Sequence, residues 1–532
     1  MPCETRVDQV LEQLEVDRWN TTVDEKRPSS YARKTGIFRT KSVEQSIRET
    51  DEPDTKLRKD LSSWDLTVFG VAVVVGAGIF TLTARTAGNV AGPSVSLAFV
   101  LAAIACGLAA LCYAEFASTV PVAGSAYTFS YATFGEFVAW IIGWDLILEF
   151  ALASSVVAKG WSLYLGEVLG SASPIVTIGG VDIDWGALLI VVIITGLLAS
   201  GTKLSSRVSL IITAIKVAVV ILVVVVGAFY IKAENYSPYI PPAEGGTTTE
   251  GVHQSLFSFV TGAGGSTFGW YGLLAAASLV FFAFIGFDVV ATTAEETKEP
   301  QKALPRAILG SLAIVTVLYV AVTLVLTGMV NYTELAGDDS TLATAFELNG
   351  LTWVKNVISF GALAGLTTVV MVMMLGQTRV LFAMSRDGLA PRSLARTGKR
   401  GTPLRITLIV GFVIAVLSAF FPIGVLEEMV NIGTLFAFVL VSIGVIVLRR
   451  TRPDLKRGFK VPLMPWIPIV AVIACLWLMV NLSVETWLRF VIWMAIGVVI
   501  YFTYSKGNAD KTIREREQED IEREAARSEV VE

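Results

Sequence analysis

The chain has 532 residues, 54% of them apolar and only 17% charged, with a net charge of −4. A soluble protein of this length carries charge on about a quarter of its residues, so this balance excludes an ordinary soluble domain. The net charge says little about partners. The four cysteines (Cys3, Cys106, Cys112, Cys475) have neither metal spacing nor a disulfide framework, and the single histidine, His253, lies in a polar linker and reads as a solvated loop residue.

The first sixty residues are polar and lack the apolar core of a cleavable signal; Val7, Val10, Leu11 and Leu14 form a stripe too brief to decide anything. Apolar runs of spanning length then recur. They predict twelve transmembrane helices at 65–85, 94–117, 131–158, 183–200, 206–230, 271–295, 306–330, 353–384, 404–420, 427–448, 466–483 and 487–504. The expected class is therefore an all-α polytopic membrane protein. Its tails, 1–63 and 506–532, are expected to be cytoplasmic.

Basic residues set that orientation. With both ends inside, 36 of the 42 lysines and arginines fall in the tails and cytoplasmic segments, and five (Arg85, Lys159, Lys232, Lys355, Arg489) lie at or beyond the outer ends. That is a strong positive-inside bias. The one left over is Lys216, in the middle of the fifth span.

Two spans are interrupted alike, at Gly76-Ala77-Gly78 and at Phe284-Ile285-Gly286-Phe287-Asp288. Hydrocarbon offers no partner to a freed backbone group, so such breaks belong where they face protein, water or a ligand. Each break lies in the first helix of a five-span unit, 64–230 and 271–448, joined by an extracellular linker 231–270. An odd number of spans per unit makes the second copy enter from the opposite side, which predicts an inverted repeat with a midplane site. The segment 449–505, a cytoplasmic loop and the last two helices, lies outside the repeat and is expected to be peripheral.

Around the first break, Gly76, Ala77, Gly78 and Ile79 can present unpaired N–H groups at the start of a half-helix, a natural seat for a carboxylate. Around the second, carbonyls before Gly286 can accept from an ammonium group, Ile285 lies at the break, and Asp288 can cap the next half-helix. Phe281 and Phe284 are candidates for closing the site from water, with ordinary packing as the competing reading. Asp145 and Glu149 share a face of the third span, and Glu149 can balance a cationic substrate or pair with an internal lysine. Lys216 is too deep to snorkel and is the candidate proton carrier. Glu115, near the inner end of the second span, reads as a gating or structural residue. Glu295-Glu296-Thr297-Lys298 reads as a solvated turn, with Pro305 at the start of the next helix. No segment suggests nucleic-acid binding.

Several motifs together resemble the amino acid–polyamine–organocation superfamily, in its bacterial cationic amino acid transporter branch. They are Gly76-Ala-Gly-Ile-Phe80, Cys112-Tyr-Ala-Glu-Phe-Ala-Ser118 with Pro121 to Tyr127, Gly143-Trp-Asp-Leu-Ile-Leu-Glu149, Phe284-Ile-Gly-Phe-Asp288, Glu295-Glu-Thr-Lys-Glu-Pro-Gln301, Gly376-Gln-Thr-Arg379, Met384-Ser-Arg-Asp-Gly388 and Phe459-Lys-Val-Pro462. The resemblance covers roughly residues 60 to 505. It implies a LeuT-like five-plus-five inverted repeat plus two peripheral helices, and import of L-amino acids, cationic or broad-range, across the cell membrane. It places the amino acid's carboxylate and amine at the two breaks, Glu149 in the side-chain pocket, and Lys216 in place of a sodium site. Ala77 departs from relatives that carry a hydroxyl between the glycines, so no side-chain bond to the carboxylate is expected there. The expected mechanism is proton-coupled symport by alternating access, without cofactor or metal. The alternatives are an exchanger, an uncoupled facilitator or, from another class, a membrane amino acid sensor. An enzyme is disfavoured because no nucleophile–base pair or metal cluster is legible. The expected partners are the substrate, a proton and the lipid bilayer, with a small partner helix at the pocket left open.

Overall fold

A computed structural model describes residues 39–40, 61–120, 122, 125–170, 174–201, 206–245, 251–263, 265–337, 341–396 and 402–512. The expected tails lie outside the described residues except for 39–40, 61–63 and 506–512, as do Pro121 and the stripe from Val7 to Leu14.

Apolar runs with no external hydrogen-bond partner close their bonds on themselves, and the described residues are mostly helical. The first segment is α1 (Ser63–Val74), capped by Ser62 and Asp65, then an irregular helical stretch from Gly78 to Ala91. Gly92-Pro93 turns the chain into α2 (Val95–Thr119). A short α3 (Ser125–Thr133) precedes α4 (Glu136–Leu169), α5 (Trp185–Ala199) and α6 (Ser206–Gly227). After the linker come α7 (Leu256–Thr261), α8 (Gly269–Val280), 3-10 turns at Phe281–Phe284 and Asp288–Glu296, and α9 (Pro300–Met329). The rest is α10 (Leu342–Leu348), α11 (Thr352–Arg386), α12 (Leu404–Phe420), α13 (Ile423–Thr451), α14 (Trp466–Val480) and α15 (Val484–Ile500). Among the described residues eight helical stretches are long and apolar enough to cross a membrane, and three shorter apolar helices (α5, α12, α14) accompany them.

Three details differ from expectation. The third span begins at Glu136 and runs to Leu169, because Gly135 (φ 103°) and Gly170 (φ 62°) bound it with conformations that a helix interior does not hold. Helix α9 starts at Pro300, where a missing N–H costs nothing, and carries Pro305 inside it. Two strands, β1 (Ile175–Ile178) and β2 (Val181–Asp184), pair antiparallel around Gly179-Gly180, both at positive φ. The two-glycine turn between alternating apolar residues is the sequence signal that an all-helical reading passes over.

Two ion pairs fix the run of the chain. Arg85, beyond the first break, pairs with Glu427 near the start of α13. Glu115, near the end of α2, pairs with Arg449 near the end of the same α13. The first and second segments therefore run in opposite directions along one helix. Helix α4 packs on α11, α2 on α9 and α5 on α12; α1 also packs on α9, α8 on α2, α13 on α4 and α6 on α11. Helix α15 is fastened to α4 by Trp493, stacked on Trp144 with ring centroids 4.3 Å apart, and by the Trp140 indole N–H, which donates to the Gly497 carbonyl at 2.8 Å.

Candidate functional site

The two interrupted segments meet at their interruptions. In the first, helical bonding stops at Val75 (ψ 88°) and resumes at Gly78, and the N–H groups of Ile79 and Phe80 both return to the Gly76 carbonyl, at 3.2 and 3.3 Å. In the second, Ile285 is extended (ψ 139°) and Gly286 sits at φ +117°, a conformation that a side chain would strain. The contact is reciprocal. A β-carbon on Gly78 would overlap the Ala283 backbone, and one on Gly286 would stand 2.7 Å from Val73 Cγ1. Each break thus accommodates the other helix through its own glycine.

The backbone carbonyls freed before the first break are taken by side chains from two other helices. Lys216, fully buried on α6, donates from Nζ to the carbonyls of Ala72 (2.6 Å) and Val75 (3.3 Å). The Tyr319 hydroxyl, from α9, donates to the Val74 carbonyl at 2.7 Å. Burying an ammonium is costly unless it is hydrogen-bonded, and the unwound carbonyls supply that bonding. The sequence pointed to Lys216, but not to Tyr319, which reads as one aromatic among many in an apolar span.

Gly76, Ala77, Gly78 and Ile285 line a tight cleft of about 10 Å³, room for about one water, together with Val73, Val74, Ala153, Val157, Phe282, Val369 and Met373. Its wall is apolar side chains plus bare backbone at the break. Ile79 is buried outside this lining. Phe281 packs edge-on against Phe438, and Phe284 against Phe99 and Tyr319, so both act in aromatic packing around the cavity rather than in its wall.

Glu149 and Asp288 also stand outside the lining, in a second buried cluster with Asp145. Glu149 lies within electrostatic reach of both Asp145 and Asp288. Neither oxygen of Asp145 or of Glu149, nor Oδ1 of Asp288, has a hydrogen-bond partner. Thr434 is the hydroxyl beside Glu149, but its hydrogen goes to the Val430 carbonyl at 3.0 Å. Asp145 and Glu149, buried without donors, need protons or a cation, whereas backbone N–H groups at the second break, from Gly286 to Val289, donate to Asp288.

Glu115 is not solvated. Arg449 grips it through Nε–Oε1 at 2.7 Å and a second contact to Oε2, the Val461 N–H donates to it at 2.6 Å, and Arg457 Nε lies 3.4 Å away. Thr297 is fully buried and bridges to Leu61, and the Lys298 N–H donates to the Leu61 carbonyl at 2.8 Å, so this turn ties the sixth segment to the start of the first. His253 is half-exposed and lies 3.2 Å from Glu485 in a recess also lined by Arg85 and Glu427.

Discontinuous helices that cross at their breaks inside a polytopic bundle are the architecture of a membrane transporter. Sequence comparison specifies which kind. The profile of the amino acid permease family matches residues 61–503, and the chain belongs to that family: it is a multi-pass membrane transporter of amino acids, not an enzyme. It is 44% identical over 485 residues to the branched-chain amino acid permease BcaP of Bacillus subtilis, covering 89% of this chain and 98% of that protein. It is 41% identical to the methylthioribose transporter of the same organism, over 88% and 98% of the two chains. To the vacuolar cationic amino acid transporter 4 of Arabidopsis thaliana it is 35% identical, over 79% and 68%.

Proposed function

We propose that the protein is a proton-coupled symporter that imports L-amino acids across the cell membrane by alternating access. The observation that carries this is Lys216 held on the Ala72 and Val75 carbonyls of the broken first span. A cationic Lys216 holds the break in its present shape, and loss of its proton removes that hold, so proton and substrate bias the same element. The amide groups around Gly76–Gly78 take the carboxylate, and carbonyls before Gly286 take the amine. Basic residues support cytoplasmic termini, with 36 on that side against five at the outer ends.

Twelve spans follow if the first apolar stretch, Ser63–Thr119, is counted as two arms alongside the seven other long helices, α5, α12 and α14. Pairing the arms of 64–230 with those of 271–448 in order maps α1, α2, α4, α5 and α6 onto α8, α9, α11, α12 and α13. The contacts of α1 with α9 and of α8 with α2 are then images of each other, as are those of α4 with α13 and of α11 with α6. That reciprocity supports an inverted repeat.

The apolar wall of the cavity favours a neutral, apolar side chain, as the name of the Bacillus branched-chain permease also suggests. A cationic substrate is the second reading, favoured by the donor-free carboxylates of Asp145 and Glu149. Radiolabelled leucine, valine, arginine and lysine uptake into proteoliposomes, with and without an inward proton gradient, separates them. We expect gradient-stimulated leucine uptake; uptake of arginine and lysine alone reverses the substrate assignment. Full activity by counter-transport with no response to a gradient identifies an exchanger instead, and Lys216→Met with unchanged gradient dependence removes the lysine from the mechanism.

A further inference from the structure

Lys216 reaches the carbonyls of the first span along a path that one position on α11 leaves open. A β-carbon built on Gly365 would stand 2.8 Å from the lysine Cγ, 2.9 Å from Cδ and 3.1 Å from Cε. Real β-carbons are essentially never found within 3.0 Å of another heavy atom, and here three successive atoms of one stem are in the way. The stem has little room to yield, since Lys216 is fully buried. A shift of about 1 Å would carry Nζ beyond hydrogen-bonding range of the Ala72 carbonyl, now at 2.6 Å.

Gly361, one turn earlier on α11, belongs to the same seam, but a β-carbon there would meet Val219, 2.6 Å from Cγ2. The seam as a whole is what close helix packing in a membrane requires. Position 365 differs from 361 in what lies against it, a lysine stem rather than a valine. Helix α6 also packs on α1 and α9, and among the described residues no carboxylate pairs with Lys216 from any of these helices. The direction of the ammonium is therefore set by the shape of its slot, not by a counter-charge.

We propose that Gly365 is a positioning residue for proton coupling: its missing side chain forms the slot that aims Lys216 at the Ala72 and Val75 carbonyls. The inference rests on the reading of Lys216 as the coupling group, and the test keeps the two apart.

Proteoliposome uptake is measured with and without an inward proton gradient, together with its pH profile, for Gly365→Ala, Gly361→Ala, Lys216→Ala and Gly365→Ala/Lys216→Ala. Thermal midpoints of the purified proteins are recorded beside it. The expected result is that Gly365→Ala abolishes gradient stimulation and flattens the pH profile. Gly361→Ala, a comparable steric insult in the same seam, keeps both while lowering the midpoint. Adding Gly365→Ala to Lys216→Ala changes neither uptake nor midpoint, because alanine at 216 has already vacated the slot. If Lys216→Ala loses gradient stimulation while Gly365→Ala retains it, the positioning role is wrong and the coupling role stands. If Lys216→Ala itself keeps the wild-type response, the coupling reading fails and takes this inference with it. Should Gly365→Ala not fold alone, Lys216→Ala must restore its folding; failure to do so means that the clash is not with the lysine, which overturns the proposal.

Discussion

Tyr319 on α9 donates its hydroxyl to the Val74 carbonyl at 2.7 Å, closing from one helix a backbone gap in another. Both residues are buried, so no water replaces the bond when the hydroxyl is removed. Tyr319→Phe should destabilise the protein by about 1–3 kcal/mol, the usual cost of an unsatisfied buried acceptor. The same variant should transport more slowly with its fold intact, since the unpaired carbonyl lies at the cavity wall. Thermal midpoints and initial uptake rates read the two effects separately; an unchanged midpoint and rate would falsify this role.

The crossing of the two breaks predicts strong intolerance of side chains at Gly78. A β-carbon there meets the Ala283 backbone, which cannot rotate away. Overpacking of this kind costs about 1–3 kcal/mol when the surroundings adjust. Gly78→Ala should therefore depress uptake at least as strongly as it depresses stability. Ala283→Gly should rescue only in part, because the backbone contact remains. Complete rescue by Ala283→Gly would mean that the obstacle is the side chain alone.

Glu115 and Arg449 make a two-pronged pair, with the Glu115 side chain 4% and that of Arg449 24% exposed. Removing one partner of a buried pair costs about 3–5 kcal/mol when it strands the other; partial exposure of Arg449, and Arg457 lying 3.4 Å from Glu115, place this one toward or below the lower figure. Arg449→Ala should thus unfold more readily than Glu115→Gln, in which the neutral amide can still accept from the Val461 N–H. A thermal scan of both variants and of the double mutant gives the coupling, and equal midpoints for the two single variants would count against the charge-pair account.

Arg39 reaches Glu136 at the start of α4 and Asp510 beyond α15, and its carbonyl accepts from the Glu136 N–H at 2.9 Å. Tyr131 and Tyr501 also donate to Glu136, each at 3.0 Å. Arg39→Ala should lower stability by about 1–3 kcal/mol, because the buried carboxylate keeps only its hydroxyl donors. Glu136→Gln should tolerate the loss of Arg39 better than glutamate does. A thermal-midpoint cycle over the two positions checks this, and additive single effects would show that the pair does not interact.

Much of the bundle was legible from local pattern. Apolar runs marked where helices lie, and small residues at Gly76–Gly78 and Gly286 marked where they break, because each signal depends on a segment's own need to satisfy its backbone. The hairpin around Gly179-Gly180 carried an equally local signal that the all-helical frame hid. Tyr319 and Gly365 were not legible at all. Each matters for what lies opposite it on a distant segment, and nothing in the neighbouring sequence records that partner. Phe281 and Phe284 precede the second break in the sequence, but which way an aromatic ring faces depends on the helix packed against it.

By itself, the sequence determined that this chain fills a membrane with interrupted helices and buries a lysine among them, since hydropathy and backbone satisfaction act within a single segment. The tertiary structure decided which groups meet: the lysine with the carbonyls of Ala72 and Val75, each break with the glycine of the other, and Glu115 with Arg449 rather than with water. It also separated the carboxylates of Asp145, Glu149 and Asp288 from the cavity wall. Those choices follow from close packing between helices far apart in the chain, where a single missing β-carbon opens or closes a path.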